Sequence, residues 1–198
     1  MGQWSGYPCD KHNIGNQMDL NTKKQTAALD SITGLLVKLT WSTAADFDVA
    51  ALFKLKAGGE GLVFFNNKGD LNVSPYIKLD KDAGVGDKVA TGGNSETIKI
   101  TKLDDVSEVH IIVWDFGAIE SGIAARFQES DVAISLTDST GAQHTAKLDT
   151  GDLGNVAVVA TIMNGALGGT LTNTSKTGLL KEFKKTEQLW AIVNGDPA

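Results

Sequence analysis

The sequence predicts an all-β fold, a two-sheet antiparallel β-sandwich of about ten strands, and three observations predict it. Short apolar or alternating runs follow one another from about residue 33 to the end of the chain. Glycine is frequent (22 residues) and proline rare (3), and Gly-rich turns between short runs suit an all-β protein. No stretch sustains a 3.6-residue apolar period long enough for a convincing long helix.

The strands are read in order. Leu35 to Trp41 opens apolar and ends in alternation. Val49 to Leu55 is apolar almost throughout, as a strand covered on both faces would be. After the Gly58-Gly59-Glu60-Gly61 turn, Leu62 to Phe65 forms a third run, closed by Asn66-Asn67-Lys68-Gly69-Asp70. Tyr76 to Leu79 is a short strand. Residues 80–95, rich in Gly and Asp, hold no apolar period and form a long loop of a kind that is uncommon unless it does something. Glu96 to Ile100, Val109 to Trp114, Val132 to Thr137, His144 to Leu148 and Val156 to Ile162 complete the regular series. Gly165 to Gly178 reads as a Gly- and Thr-rich loop, and Leu189 to Val193 as the last strand. Helical turns are expected within residues 117–128 and within Leu179 to Lys185.

With no exact repeat and no Pro-rich linker, one domain over residues 18–198 is expected, preceded by a polar extension, residues 1–17. That extension holds the isolated aromatics Trp4 and Tyr7. It reads either as a loose arm or as an anchor on another copy of the chain or another protein, because Trp and Tyr favour such contacts.

Charge and composition exclude several functions. The net charge of -6 argues against nucleic-acid binding, which needs clustered Lys and Arg. No run approaches the roughly 20 apolar residues of a membrane span, and the N-terminus lacks the apolar core of a signal peptide. One cysteine, Cys9, makes no internal disulfide. The expectation is a soluble, cytoplasmic protein. Catalysis is not expected: there is no Gly-x-Ser-x-Gly elbow and no phosphate loop, and His12, His110 and His144 are scattered. His110, alternating with apolar neighbours, reads as structural or exposed.

What remains is oxygen chemistry at strand ends. In extended chain Asp46 and Asp48 share one face while Phe47 points to the core. Asn66 and Asn67 end a strand and offer amide oxygens. The long loop holds Asp80, Asp82 and Asp87 and runs into Asn94 and Glu96, with Gly84, Gly86, Gly92 and Gly93 free to turn carbonyls inward. Ca²⁺ takes about six to eight such oxygens on a flexible frame.

The order of these features resembles the TerD family of bacterial stress proteins, the tellurium-resistance type. Leu39-Thr40-Trp41 followed by Asp46-Phe47-Asp48-Val49-Ala50-Ala51 is similar to that family's L-x-W and D-F-D-L-D-A stretches. Phe64-Phe65-Asn66-Asn67 resembles F-Y-N-N, and Gly93-Asn94-Ser95-Glu96-Thr97-Ile98-Lys99-Ile100 resembles G-D-D-E-x-I-x-I. Val109 to Asp115 resembles the strand that follows, and Leu189-Trp190 the closing W-x-F strand. The resemblance implies a calcium-binding β-sandwich that acts by binding rather than catalysis. It implies metal ligation by Asp46, Asp48, Asn66, Asp82, Asp87, Asn94 and Glu96, with Asn67 and Asp115 as further members. The third acid of the first motif is here Ala50, and the Asp pair before Glu96 is Asn94-Ser95, so one Ca²⁺ is expected rather than two. The alternative expectation is an assembly subunit, of a phage or a surface layer, built on the same sandwich. It draws on the N-terminal arm, the eroded acidic loop and the Gly/Thr-rich stretch 165–178.

Overall fold

Alternation of side chains across a strand decides which faces of this protein are covered. In the computed structural model, which describes residues 17–42, 46–80, 94–124, 127 and 131–196, the chain forms two six-stranded sheets packed face to face. The strands are β1 (Gln17–Leu20), β2 (Thr26–Leu29), β3 (Thr33–Trp41), β4 (Phe47–Leu55), β5 (Glu60–Val63), β6 (Ile77–Leu79), β7 (Asn94–Lys102), β8 (Val106–Asp115), β9 (Ala133–Thr137), β10 (Gln143–Lys147), β11 (Val156–Gly165) and β12 (Gly168–Gly178). Two helices join them, α1 (Phe116–Ser121) and α2 (Glu187–Asn194). Sheet I runs β1-β10-β9-β3-β7-β6 and sheet II runs β2-β12-β11-β8-β4-β5. The pairings are antiparallel except β1 on β10.

The main core lies between the sheets. Leu35, Val37 and Leu39 of β3 and Ile98 and Ile100 of β7 meet Val49, Ala51 and Phe53 of β4 and Val109, Ile111 and Val113 of β8. The intervening residues of β4, β8 and β11 are also apolar. Ala50, Leu52, Ile112, Trp114, Val156 and Val158 form a second core on the outer face of sheet II, closed by Ile119 of α1 and by Leu180, Leu189, Trp190 and Ile192. β4 is therefore covered on both faces, as its unbroken apolar run requires.

Three sequence expectations are corrected. Gly168–Gly178 is a strand, not a loop: Gly169, Leu171, Asn173 and Ser175 point inward, and the β-branched threonines lie between them. Its inward polar side chains hid the strand, and they are satisfied by hydrogen bonds. Asn173 Nδ2 donates to the carbonyls of Leu20 (2.7 Å) and Lys147 (2.8 Å), and Ser175 Oγ donates to Asn173 Oδ1 (2.6 Å). Leu189–Val193 is helical, within α2, because its apolar residues recur at i, i+1, i+3 and i+4 and Gly195 (φ 82°) caps the end in the left-handed region. Leu179 to Lys185 carries no helix. The helical turn expected within 117–128 is α1. The short strands β1 and β2, with Gln17 opening β1, were not anticipated.

Candidate metal centre

The strand registers bring several of the candidate residues to one end of the sandwich. Trp41, at the end of β3, pairs with Asn94 at the start of β7. Phe47, at the start of β4, pairs with Asp115 at the end of β8. Asp46, Asp48, Asn94, Glu96 and Asp115 therefore share a pole. Asp82 and Asp87 lie outside the described residues, as do Cys9 and His12.

Strand parity splits this group in two. Phe47 and Val49 face the inter-sheet core, so Asp48 lies with Ala50 and Leu52 on the outer face of sheet II, half-buried beside Trp114, its register partner. Asp46, one residue before β4 and exposed, has the same parity. The 64–67 turn lies over the same tryptophan. Phe64 and Phe65 pack on Trp114 at 5.9 and 6.3 Å between ring centroids, and the Phe64 and Asn67 backbones bond each other at 2.9 Å in both directions. Asn66 and Asn67 are exposed at the tip. Asn67 turns its amide nitrogen to the Leu62 carbonyl at 3.0 Å. This leaves its Oδ1 directed elsewhere.

Glu96 is on the other side of sheet II. It follows the parity of Ile98 and Ile100 into the inter-sheet space and is only 2% exposed. Its Oε2 accepts from the Val49 backbone N–H at 2.7 Å. β5 pairs with β4 only from Ala51 onward, so Val49 stands where the neighbouring strand has ended, and the carboxylate replaces the missing acceptor. Glu96 thus ties β7 to β4 across the sandwich. Asp115 has a local task as well: its Oδ1 accepts from Ala118 N–H at 2.9 Å and caps α1.

Asp131 was not among the residues expected at the site. Ser42 N–H donates to Asp131 Oδ1 at 2.8 Å, joining the end of β3 to the approach to β9. The backbone and side-chain hydrogen bonds from Ser42 hold the Asp131 carboxyl below its ordinary range. A groove of about 200 Å³ opens there, between Lys38, Thr40, Trp41, Ser42, Asn94, Ser95 and Asp131. The only signal for it in the sequence was an acid just before a strand.

The candidate donors on this side are hard oxygen: the carboxylates of Asp46 and Asp48, and the amide oxygens of the Asn66-Asn67 turn, whose Phe64 and Phe65 pack on the register partner of Asp48. That chemistry fits Ca²⁺ and does not fit a thiophilic metal. Among the described residues no group of three or more His, Cys, Asp or Glu side chains gathers around one point. A cation on the Asp46/Asp48 face would therefore draw its remaining oxygens from backbone carbonyls and water.

No model of a known protein family matches the chain, and no curated protein matches its sequence. Solved structures do match its fold. A homologue of the telluride resistance protein TerD, SCO6318 from Streptomyces coelicolor A3(2), is 14% identical, with 85% of this chain and 100% of that chain covered at a TM-score of 0.52. A protein of unknown function, SAV2460, is 15% identical over 84% of this chain and 99% of that one, also at a TM-score of 0.52. The chain therefore has the β-sandwich fold of a solved TerD homologue over most of its length. The sequence resemblance had led to the same fold. Among the described residues, no helix is long and apolar enough to cross a membrane.

Proposed function

We propose that this protein is a TerD-type binding module of the bacterial stress response that takes up one Ca²⁺ at the pole of sheet II, acting by binding rather than catalysis. The observation that carries the proposal is the shared parity of Asp46 and Asp48, with the Asn66-Asn67 turn packed through Phe64 and Phe65 on the tryptophan beside Asp48. Asp46, Asp48 and Asn66 supply the side-chain oxygens. Asn67, Asp82 and Asp87, which the resemblance adds, are ligands of second rank, whereas Asn94 and Asp115 share the inward parity of Glu96 and Phe47 and stand outside this set. Glu96 holds Val49 between the sheets and serves the site by fixing the start of β4. One ion follows from the division of the candidates between two faces.

The assembly-subunit reading loses one of its supports, because Gly168–Gly178 is a strand inside sheet II and not an added loop.

A thermal melt in Ca²⁺ against chelator tests the proposal. At 100 times the Kd the ion should stabilise the fold by about 2.7 kcal/mol. The double variant Asp46→Asn/Asp48→Asn should lose that gain while keeping the chelated midpoint. A wild-type melt unchanged across millimolar Ca²⁺ sinks the proposal.

A further inference from the structure

Away from the metal pole, the outer face of sheet II carries a buried polar cluster beneath α2. His110 of β8 is 4% exposed. Its Nδ1 lies 2.9 Å from Thr161 Oγ1 of β11, and its Nε2 lies 3.2 Å from Glu108 Oε2. Thr161 Oγ1 in turn lies 2.7 Å from Thr174 Oγ1 of β12. The ring of Trp190, from α2, stands against the imidazole at 5.3 Å and 86°.

We infer that His110 is the pivot of an acid-released latch, holding α2 on sheet II while its ring is neutral and freeing the helix when the ring is charged.

The hydrogen-bond chain works in both states. A carboxylate only accepts, so the neutral ring carries its proton on Nε2, toward Glu108, and Nδ1 accepts from the Thr161 hydroxyl. Thr161 then accepts from Thr174. When Nδ1 gains a proton the chain reverses: Nδ1 donates to Thr161, Thr161 to Thr174, and Thr174 turns to the Thr172 carbonyl at 3.5 Å. Thr174 is half-buried at the surface and gives the proton a path inward. Charging the ring therefore orphans no polar atom.

What opposes the charge is burial, together with two cations. Burial pushes the His110 pKa down, the Glu108 carboxylate pushes it up, and Lys176 and Lys54 push it down again, with a net lowering. Thr161 from β11 and Trp190 from α2 bring no charge. The two opposing cations are also contacts that hold the helix. Lys54 Nζ lies 5.0 Å from the centroid of the Trp190 ring and pairs with Glu108 at 3.6 Å. Lys176 Nζ donates to the Val193 carbonyl at 2.5 Å, in the last turn of α2. A charge on His110 thus repels the groups that fasten α2, and opening the helix returns the ring to water.

The sign follows from linkage. The closed-state pKa is lowered, so the closed state binds fewer protons than the open one. The latch is at full strength above about pH 6.5 and weakens as pH falls below that value. It levels off below the closed-state pKa. Within that window the opening constant rises by up to about tenfold per pH unit.

Hydrogen exchange of the Leu189 to Gly195 amides, corrected for intrinsic rate and followed from about pH 7.5 to about pH 4.5, reads this constant directly. The wild-type protein should show the rise, with β4 and β8 amides unaffected. His110→Gln, which offers one donor and one acceptor but does not titrate, should be flat. Glu108→Gln should leave the onset at about pH 6.5 and carry the rise to lower pH before it levels off. The latch is refuted by a flat wild type, by a slope that survives in His110→Gln, or by a rise shared with β4 and β8. Should His110→Gln fail to fold, the imidazole NMR titration of the wild-type protein decides. A His110 midpoint at or above about 6.5 refutes the latch, and one below it supports the latch.

Discussion

The two sheets have the same number of strands but treat their outer faces differently. On sheet I, Thr97, Lys38, Ser135, Thr145 and Asp19 form one register row across β7, β3, β9, β10 and β1, and all are exposed or half-buried. On sheet II, Ala50, Ile112 and Val158 form a row across β4, β8 and β11, and each is 0% exposed. The difference is made by the chain's own C-terminal part. Leu180, Leu189, Trp190 and Ile192, with α1, close over sheet II, while among the described residues no element packs on the outer face of sheet I. A strand's sequence thus counts its covered faces: β3 alternates because one face is wet, and β4 does not because neither is.

The largest break in this comparison should come from Trp114, at the centre of the sheet II cover. It is fully buried and meets Phe64, Phe65, Phe116 and Phe183 at ring distances of 5.9, 6.3, 6.3 and 5.1 Å. Among the described residues its indole nitrogen has no hydrogen-bond partner, and its ring contacts are what the substitution removes. Trp114→Ala should cost about 3–5 kcal/mol in urea unfolding. A loss under about 1 kcal/mol would mean that the cover does not fold together with the sheet.

Next in size is Asn155, which fastens the cover at its start. It is fully buried. Its Nδ2 donates to the carbonyls of Leu180 (2.7 Å) and Ile123 (3.1 Å), and its Oδ1 accepts from Leu180 N–H at 2.8 Å. Asn155→Ala strands the Leu180 amide and carbonyl in an apolar setting, at about 2–3 kcal/mol. Chemical unfolding measures this loss. Exchange should speed up at Leu180 and in α2 before it does so in β3, and equal acceleration everywhere would contradict the anchoring role.

These two residues also show where sequence reading reached and where it stopped. Period and composition were enough for β3, β4, β8 and β9, because each carries its exposure in its own residues. They were not enough for β12, whose inward Asn173 and Ser175 are paid for by hydrogen bonds to segments distant in sequence. They failed for α2 too, since a short apolar run such as Leu189 to Val193 suits a strand or a helix equally well. At the pole, the common face of Asp46 and Asp48 was legible as a local parity. The burial of Glu96 between the sheets was not, because it depends on which sheet each strand joins, and that is fixed by pairing across the whole chain.

The smallest effect should come from the bare face of sheet I, where Leu36 is 39% exposed and Lys38 extends into solvent. Leu36→Ala and Lys38→Ala should each change stability by no more than about 0.5 kcal/mol, since neither removes a buried contact. The measurement gains force when it is repeated over a range of protein concentrations. If the face is bare in solution, the small cost is the same at every concentration. If a second copy of the chain covers it, the cost of Leu36→Ala grows with concentration, because the apolar area then leaves water on association. A concentration-dependent loss, together with a rise in mass by light scattering, would overturn the contrast between the sheets. It would make sheet I a covered face as well, with its cover supplied by another molecule.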